Sequence, residues 1–195
     1  MDKKRKLDSR IIRSKRDLAN SLEELLQEKN LDDISITEIT DRAMVSKNTF
    51  YNNFEDKGDL LNFIFTRYEE KLDDDIQKIL VKQYEGRKET IYEVIKKIVG
   101  FFYSSNLSFK KMVKNDKSKT LYWSVNSFIK EMIEKLIRRF PEFFALNNIP
   151  TTFIGCIYSG AMSNMIYYMY SEDTKISESQ CIEYIYSLLS PLVKE

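Results

Sequence analysis

Residues 35–61, S-I-T-E-I-T-D-R-A-M-V-S-K-N-T-F-Y-N-N-F-E-D-K-G-D-L-L, constrain this chain more than any other stretch. Ser35 with Glu38 three residues on fits a capping box, in which hydroxyl and carboxylate each satisfy an exposed backbone amide of the other residue. A helix is therefore predicted to begin at Ile36, with Ile36, Ile39 and Ala43 on one face. The four residues 43–46 suffice only for a turn. Ser46 then caps a second helix over 47–53 by accepting from an amide of its first turn. Phe50 and Phe54, four apart, point into a core, which leaves Lys47, Asn48, Thr49, Tyr51 and Asn52 on the opposite face. Two short helices, a tight turn and a small, polar and cationic outer face describe a helix-turn-helix whose second helix enters the DNA major groove.

The residue types on that face suit base edges. Lys reaches guanine O6 and N7, Asn pairs bidentately with adenine, and the Thr methyl meets the thymine methyl. Lys47, Asn48, Thr49 and Asn52 are the candidates for base contact, with Thr37 at the groove edge. Net charge over the whole chain is only +1, but residues 1–16 hold eight Lys or Arg against two Asp, a local charge of +6. Such a basic stretch leading into a helix-turn-helix is a natural phosphate-binding element, and Arg10 and Arg13 are its candidates. Residues 1–6 alone read equally well as a solvated tail.

The run V-S-K-N-T-F-Y-N-N-F-E-D-K-G-D-L-L resembles the DNA-binding signature of the TetR family of transcriptional regulators. The wording F-Y-N-N-F-E-D-K-G-D-L-L is also similar to the subgroup that includes regulators of dihydroxyacetone kinase operons. The resemblance covers about residues 18–61; the remainder agrees in length and helical character alone. It implies that Tyr51 and Lys57 hold the DNA backbone, positioning without reading sequence. Amides at the start of the next helix add to that anion site. Two positions depart from the family. Met44 stands where Gly is usual, which strains the turn if a left-handed backbone is needed there, and Asn53 stands where His is usual.

The rest of the chain reads as helix. Of 195 residues, 43% are hydrophobic and 31% charged, while Gly (five) and Pro (three) are too few for many hairpins. Helices are predicted over 9–28, 36–42, 47–53, 57–84, 89–105, 109–113, 119–140, 152–170 and 178–189, the last opened by a Ser177–Gln180 capping box. The fold class is all-α, nine helices in two parts: a DNA-binding domain over 1–56 and a ligand-binding and dimerisation domain over 57–195. No run of about 18 apolar residues exists to span a membrane. The charged N-terminus lacks a signal-peptide core, and Cys156 and Cys181 make no disulfide framework, so a cytoplasmic protein is expected.

The C-terminal two-thirds of the chain is rich in aromatics and Met, and the resemblance implies a small-molecule cavity there. Its candidate lining is Phe101, Phe102, Tyr103, Tyr122, Trp123, Phe128, Tyr158, Met162 and Met165, though core packing alone accounts for any one of them. Few charges interrupt these faces, so a neutral or weakly polar effector is expected. The resemblance also implies a homodimer through the last two helices, where Gly155, Cys156, Ser159, Gly160, Ala161 and Ser163 permit close approach. The alternative is a DNA-binding adaptor regulated by a partner protein, with a solid core in place of a pocket. No catalytic residue, metal or cofactor is expected: the chain has no His and no Gly-rich phosphate loop.

Overall fold

The structure, a computed structural model, describes residues 2–82, 86–104, 113, 116–146, 148–171 and 175–194, with the side chains of 2–8, 104 and 171 outside that description. Among the described residues there are eight α-helices and no strand: α1 (Asp2–Glu28), α2 (Ile36–Arg42), α3 (Lys47–Tyr51), α4 (Lys57–Lys82), α5 (Arg87–Ser104), α6 (Thr120–Arg139), α7 (Thr151–Ser171) and α8 (Glu178–Leu189). The predicted ninth helix, over 109–113, lies outside the described residues except for Val113. Helix α1 starts at Asp2 instead of Ser9, because residues 2–28 hold no Gly or Pro and are dominated by good helix formers.

The chain forms two compact units, one of residues 1–65 with 107–124, the other of 66–106 with 125–195. In the first, Leu18, Leu22 and Leu26 of α1, Ile39 of α2, Phe50 of α3, and Leu60 and Leu61 of α4 are all fully buried. Both halves of the Ser35–Glu38 capping box are present, and the Ser46 hydroxyl accepts from the Thr49 amide. Between α2 and α3 the chain turns at Met44, which has φ 53. This is the left-handed backbone that a Gly adopts without strain. The side chain there is 92% exposed, so no packing offsets that strain.

In the second unit α5 packs along α8, and the Tyr92 hydroxyl donates to Glu183 Oε1 at 2.9 Å. Pro141 opens a short 3-10 turn that ends α6. Helix α7 is apolar on two sides. Ile154, Ser159, Ser163 and Ile166 are buried, while Phe153, Ile157 and Tyr168 are exposed. The Gly155 Cα approaches α6 so closely that a Cβ would lie 2.9 Å from Glu134 Cγ. No described helix is long and apolar enough to cross a membrane.

Candidate nucleic-acid interface and effector cavity

The outer face of the helix-turn-helix is built by burying its inner one. Phe50, fully buried, contacts the Tyr51 ring edge-on at 5.5 Å and the Phe54 ring at 5.9 Å. Lys15 of α1 lies over Phe54 at 5.4 Å and Phe63 at 5.7 Å, a cation–π contact that ties α1 to the same cluster. Asn53 donates to the Thr49 carbonyl at 2.7 Å and faces Ser14 of α1, so it is turned inward. With α3 thus fixed, Lys47, Asn48, Tyr51 and Asn52 are exposed together, and Thr37 is exposed on α2. Thr49 is half-buried and its hydroxyl pairs with Ser46 Oγ at 2.9 Å, which leaves its methyl as the free part. Arg10 and Arg13 are exposed on α1, with Arg13 Nε 3.7 Å from Asp17.

Lys57 sits differently from the expectation. Its ammonium donates to the carbonyls of Leu31 and Ile34, each at 2.7 Å. Burial pushes its pKa below the ordinary value, while Asp32, Asp33 and Glu38 pull the other way. An ammonium already holding two carbonyls has little left for a phosphate. At the start of α4, Asp56 Oδ1 accepts from the Asp59 amide at 2.9 Å, the work of an N-cap.

The 3-10 turn Leu31–Asp33 therefore carries two attachments. Lys57 fastens it to the start of α4. Asp32 fastens it to the segment before α6, accepting from the Lys117 amide at 2.7 Å and the Ser118 hydroxyl at 2.5 Å. Burial alone would raise the Asp32 carboxyl, but these donors outweigh it and hold the group low. Asp116, itself buried, caps α6 by accepting from Leu121 at 3.2 Å and Tyr122 at 3.0 Å. Arg42 at the end of α2 makes a two-pronged bridge to Glu28 at the end of α1, at 2.5 and 3.0 Å.

The second unit holds a cavity of about 120 Å³, walled by α4, α5, α6, α7 and α8. Of the nine lining residues expected from sequence, Phe102, Tyr103, Tyr158, Met162 and Met165 are in its wall. The other four are not. Phe101 packs on Tyr68 at 5.0 Å, and Phe128 is buried against Phe102 at 6.1 Å. Tyr122 and Trp123 belong to the first compact unit, where their rings meet edge-on at 5.3 Å and Trp123 is 65% exposed. Tyr170, Cys181 and a set of charges also line the cavity. Lys135 bridges Glu69 at 3.1 Å and Asp73 at 3.5 Å, and Arg139 bridges Asp73 at 3.3 Å. Their sequence signal was a matched pair of spacings, Glu69 and Asp73 four apart on α4, Lys135 and Arg139 four apart on α6.

Residues 20–64 match the family model described as bacterial regulatory proteins, tetR family. No curated protein matches the chain. Among solved structures, RolR in complex with resorcinol has a TM-score of 0.65 at 16% identity, covering 93% of this chain and 89% of that one. Thermus thermophilus FadR, a TetR-family repressor in complex with lauroyl-CoA, has 0.64 at 16%, covering 93% and 96%. A TetR-family transcriptional regulator from Pectobacterium atrosepticum has 0.58 at 16%, covering 96% and 97%. At these identities the likeness carries the fold, and the family rests on the matched segment with its capped helices, left-handed turn and exposed α3 face. Residues 20–64 carry the DNA-binding domain described for bacterial regulatory proteins of the tetR family, and the rest of the chain shares the fold of the solved regulators it resembles.

Proposed function

We propose that the protein is a ligand-responsive repressor that binds a two-fold symmetric operator as a homodimer in the cytoplasm. The observation that carries this is the exposed set Lys47, Asn48, Tyr51 and Asn52 on a short capped helix whose other face is buried at Phe50. Lys47, Asn48, Asn52 and the Thr49 methyl read base edges, with Thr37 at the groove edge. Tyr51, Arg10 and Arg13 hold phosphates. Since the Lys57 ammonium is committed to two carbonyls, its residue's part in phosphate binding falls to the backbone amides at the start of α4.

One helix-turn-helix reads half a site, so a reader of a full site needs a two-fold partner. Helix α7 offers a stripe for it: Phe153, Ile157 and Tyr168 are 59%, 53% and 56% exposed on one side, with Gly160 and Ala161 between them. Tyr184 and Leu188 of α8, four apart, are exposed as well. Among the small residues of α7, Gly155, Ser159 and Ser163 are used inside the protomer, and Cys156 and Ala161 are outside it. The cavity favours a small-molecule effector over a partner protein, and two structural neighbours carry small molecules, resorcinol and lauroyl-CoA.

The test is a mobility shift with DNA taken from upstream of the protein's own gene. A retarded band containing two protomers is expected at low salt, and Arg13→Ala should lower the slope of log K against log salt by about 0.9 for every sequence tried. No retarded band across that region at low salt would sink the reading.

A further inference from the structure

We infer that the effector is an uncharged aliphatic molecule carrying one hydrogen-bonding oxygen, in class a medium-chain alcohol or ketone. The inference rests on the cavity being the effector site and adds the chemistry of what fills it. Among the described residues, twenty of the thirty-two that line the cavity are Leu, Ile, Val or Met. Branched aliphatic walls with Met adapt to a flexible chain. The aromatic residues in the wall are no stacking platform. Phe102 meets Phe101 and Phe128 edge-on, and the Tyr103 and Tyr170 rings are tilted by 49° at 6.4 Å.

The charges at the cavity are already spent on one another. Asp73 receives Gln77 at 2.6 Å, Arg139 at 3.3 Å and Lys135 at 3.5 Å, while Lys135 also holds Glu69 at 3.1 Å. Two carboxylates face two cations, and the Glu69 and Asp73 side chains are only 14% and 26% exposed. An anionic head group would have to take Lys135 or Arg139 from a partly buried carboxylate. A cationic one would have to displace them. Either takes a partner from the two carboxylates, which are the more buried members, while Lys135 and Arg139 at 44% and 43% exposed keep contact with water, so the cost falls on Glu69 and Asp73. A neutral ligand leaves the network whole.

Two phenols in the wall are open to a neutral oxygen. The Tyr103 hydroxyl already donates to the Ile176 carbonyl at 3.3 Å. Those of Tyr158 and Tyr170 make no hydrogen bond among the described residues. Burial pushes Tyr103 and Tyr170 up to about 12 and Cys181 up to about 11, so all three stay protonated at neutral pH. A protonated phenol in an apolar wall is a donor for a hydroxyl or carbonyl oxygen.

The experiment compares four probes on the 195-residue protein by thermal unfolding and titration calorimetry: 1-decanol and 2-naphthol below their solubility limits, and decanoate and decylammonium below their micellar concentrations. Only 1-decanol is expected to raise the melting temperature. The double variant Tyr158→Phe/Tyr170→Phe should weaken its binding roughly three- to tenfold, the loss of one neutral hydrogen bond. Val99→Phe, which fills the wall at α5, should abolish it. Decanoate or decylammonium binding as well as 1-decanol overturns the uncharged class, and 2-naphthol alone overturns the aliphatic one; both results leave the cavity as the effector site. A 1-decanol shift that survives in both variants overturns the assignment to this cavity. No binding by any probe removes the effector reading with it, while the DNA-binding reading is judged separately by the mobility shift.

Discussion

At the scale of single residues, Lys57 separates what a motif implies from what a neighbourhood permits. The resemblance assigns it to phosphate. The fold gives its ammonium to two carbonyls of residues that are almost fully buried, Leu31 and Ile34. Lys57→Ala strands those acceptors, so it should lower stability by about 1–3 kcal/mol in denaturant titrations and leave the salt slope of DNA binding nearly unchanged. A slope reduced by about 0.9 with stability intact would return Lys57 to the phosphates. Glu38 gives a second expectation. Lys29 and the Ser35 amide and hydroxyl hold its carboxyl down to about 2, against an ordinary 4.5. A depressed carboxyl contributes stability that is full above the unfolded value and lost as pH falls through the folded one. The contribution should fade between about pH 4.5 and 2, and Glu38→Gln should flatten the acid side of the stability curve there. An unchanged acid limb in that variant would mean the capping box carries no pH dependence.

Helices and turns were legible wherever the signal was local. The capping boxes at Ser35 and Ser177 and the Ser46 cap all form, because each needs only residues three apart. The αL position at Met44 was legible for the same reason, and it yields a stability prediction. With φ 53 and 92% exposure, the Met side chain gains no burial in return for its strained backbone. Met44→Gly should stabilise by about 0.5–1 kcal/mol, the relief of strain less the added freedom of the unfolded chain. A loss in thermal or denaturant unfolding would show that the Met side chain contributes at the turn. What was not legible is how helices face one another. Asp32 looked like one of several acids after Asn30, yet it holds the residues before α6 from 85 and 86 positions away. Phe101, Tyr122, Trp123 and Phe128 carry the composition of a pocket lining, but their helix faces point elsewhere, and periodicity alone does not say which apolar face meets which neighbour. The ion pairs of Glu69 and Asp73 with Lys135 and Arg139 were hidden because each pair, within its own helix, looks like a solvated face.

Over the whole molecule, the fold class and the order of helices were readable from spacing and from scarcity of Gly and Pro, whereas the proposed dimer rests on a surface that a single chain leaves open. Phe153, Ile157, Tyr168 and Leu188 are more than half exposed on the last two helices. Ile157→Glu should leave the helical fold intact, since the site is 53% exposed, and convert the dimer to a monomer in sedimentation equilibrium. A variant that stays dimeric would put the interface on another face. The claim on which the rest depends is that α3 reads DNA in two symmetric copies. Selection of bound sequences from a random duplex pool by the purified protein tests it most directly. An enriched inverted repeat is expected, with half-sites a helical turn or a multiple of it apart, and an Asn48→Ala protein should lose about 1–3 kcal/mol of discrimination at one position per half-site. No enrichment, or an enriched sequence that Lys47→Ala, Asn48→Ala and Asn52→Ala all bind unchanged, would contradict it.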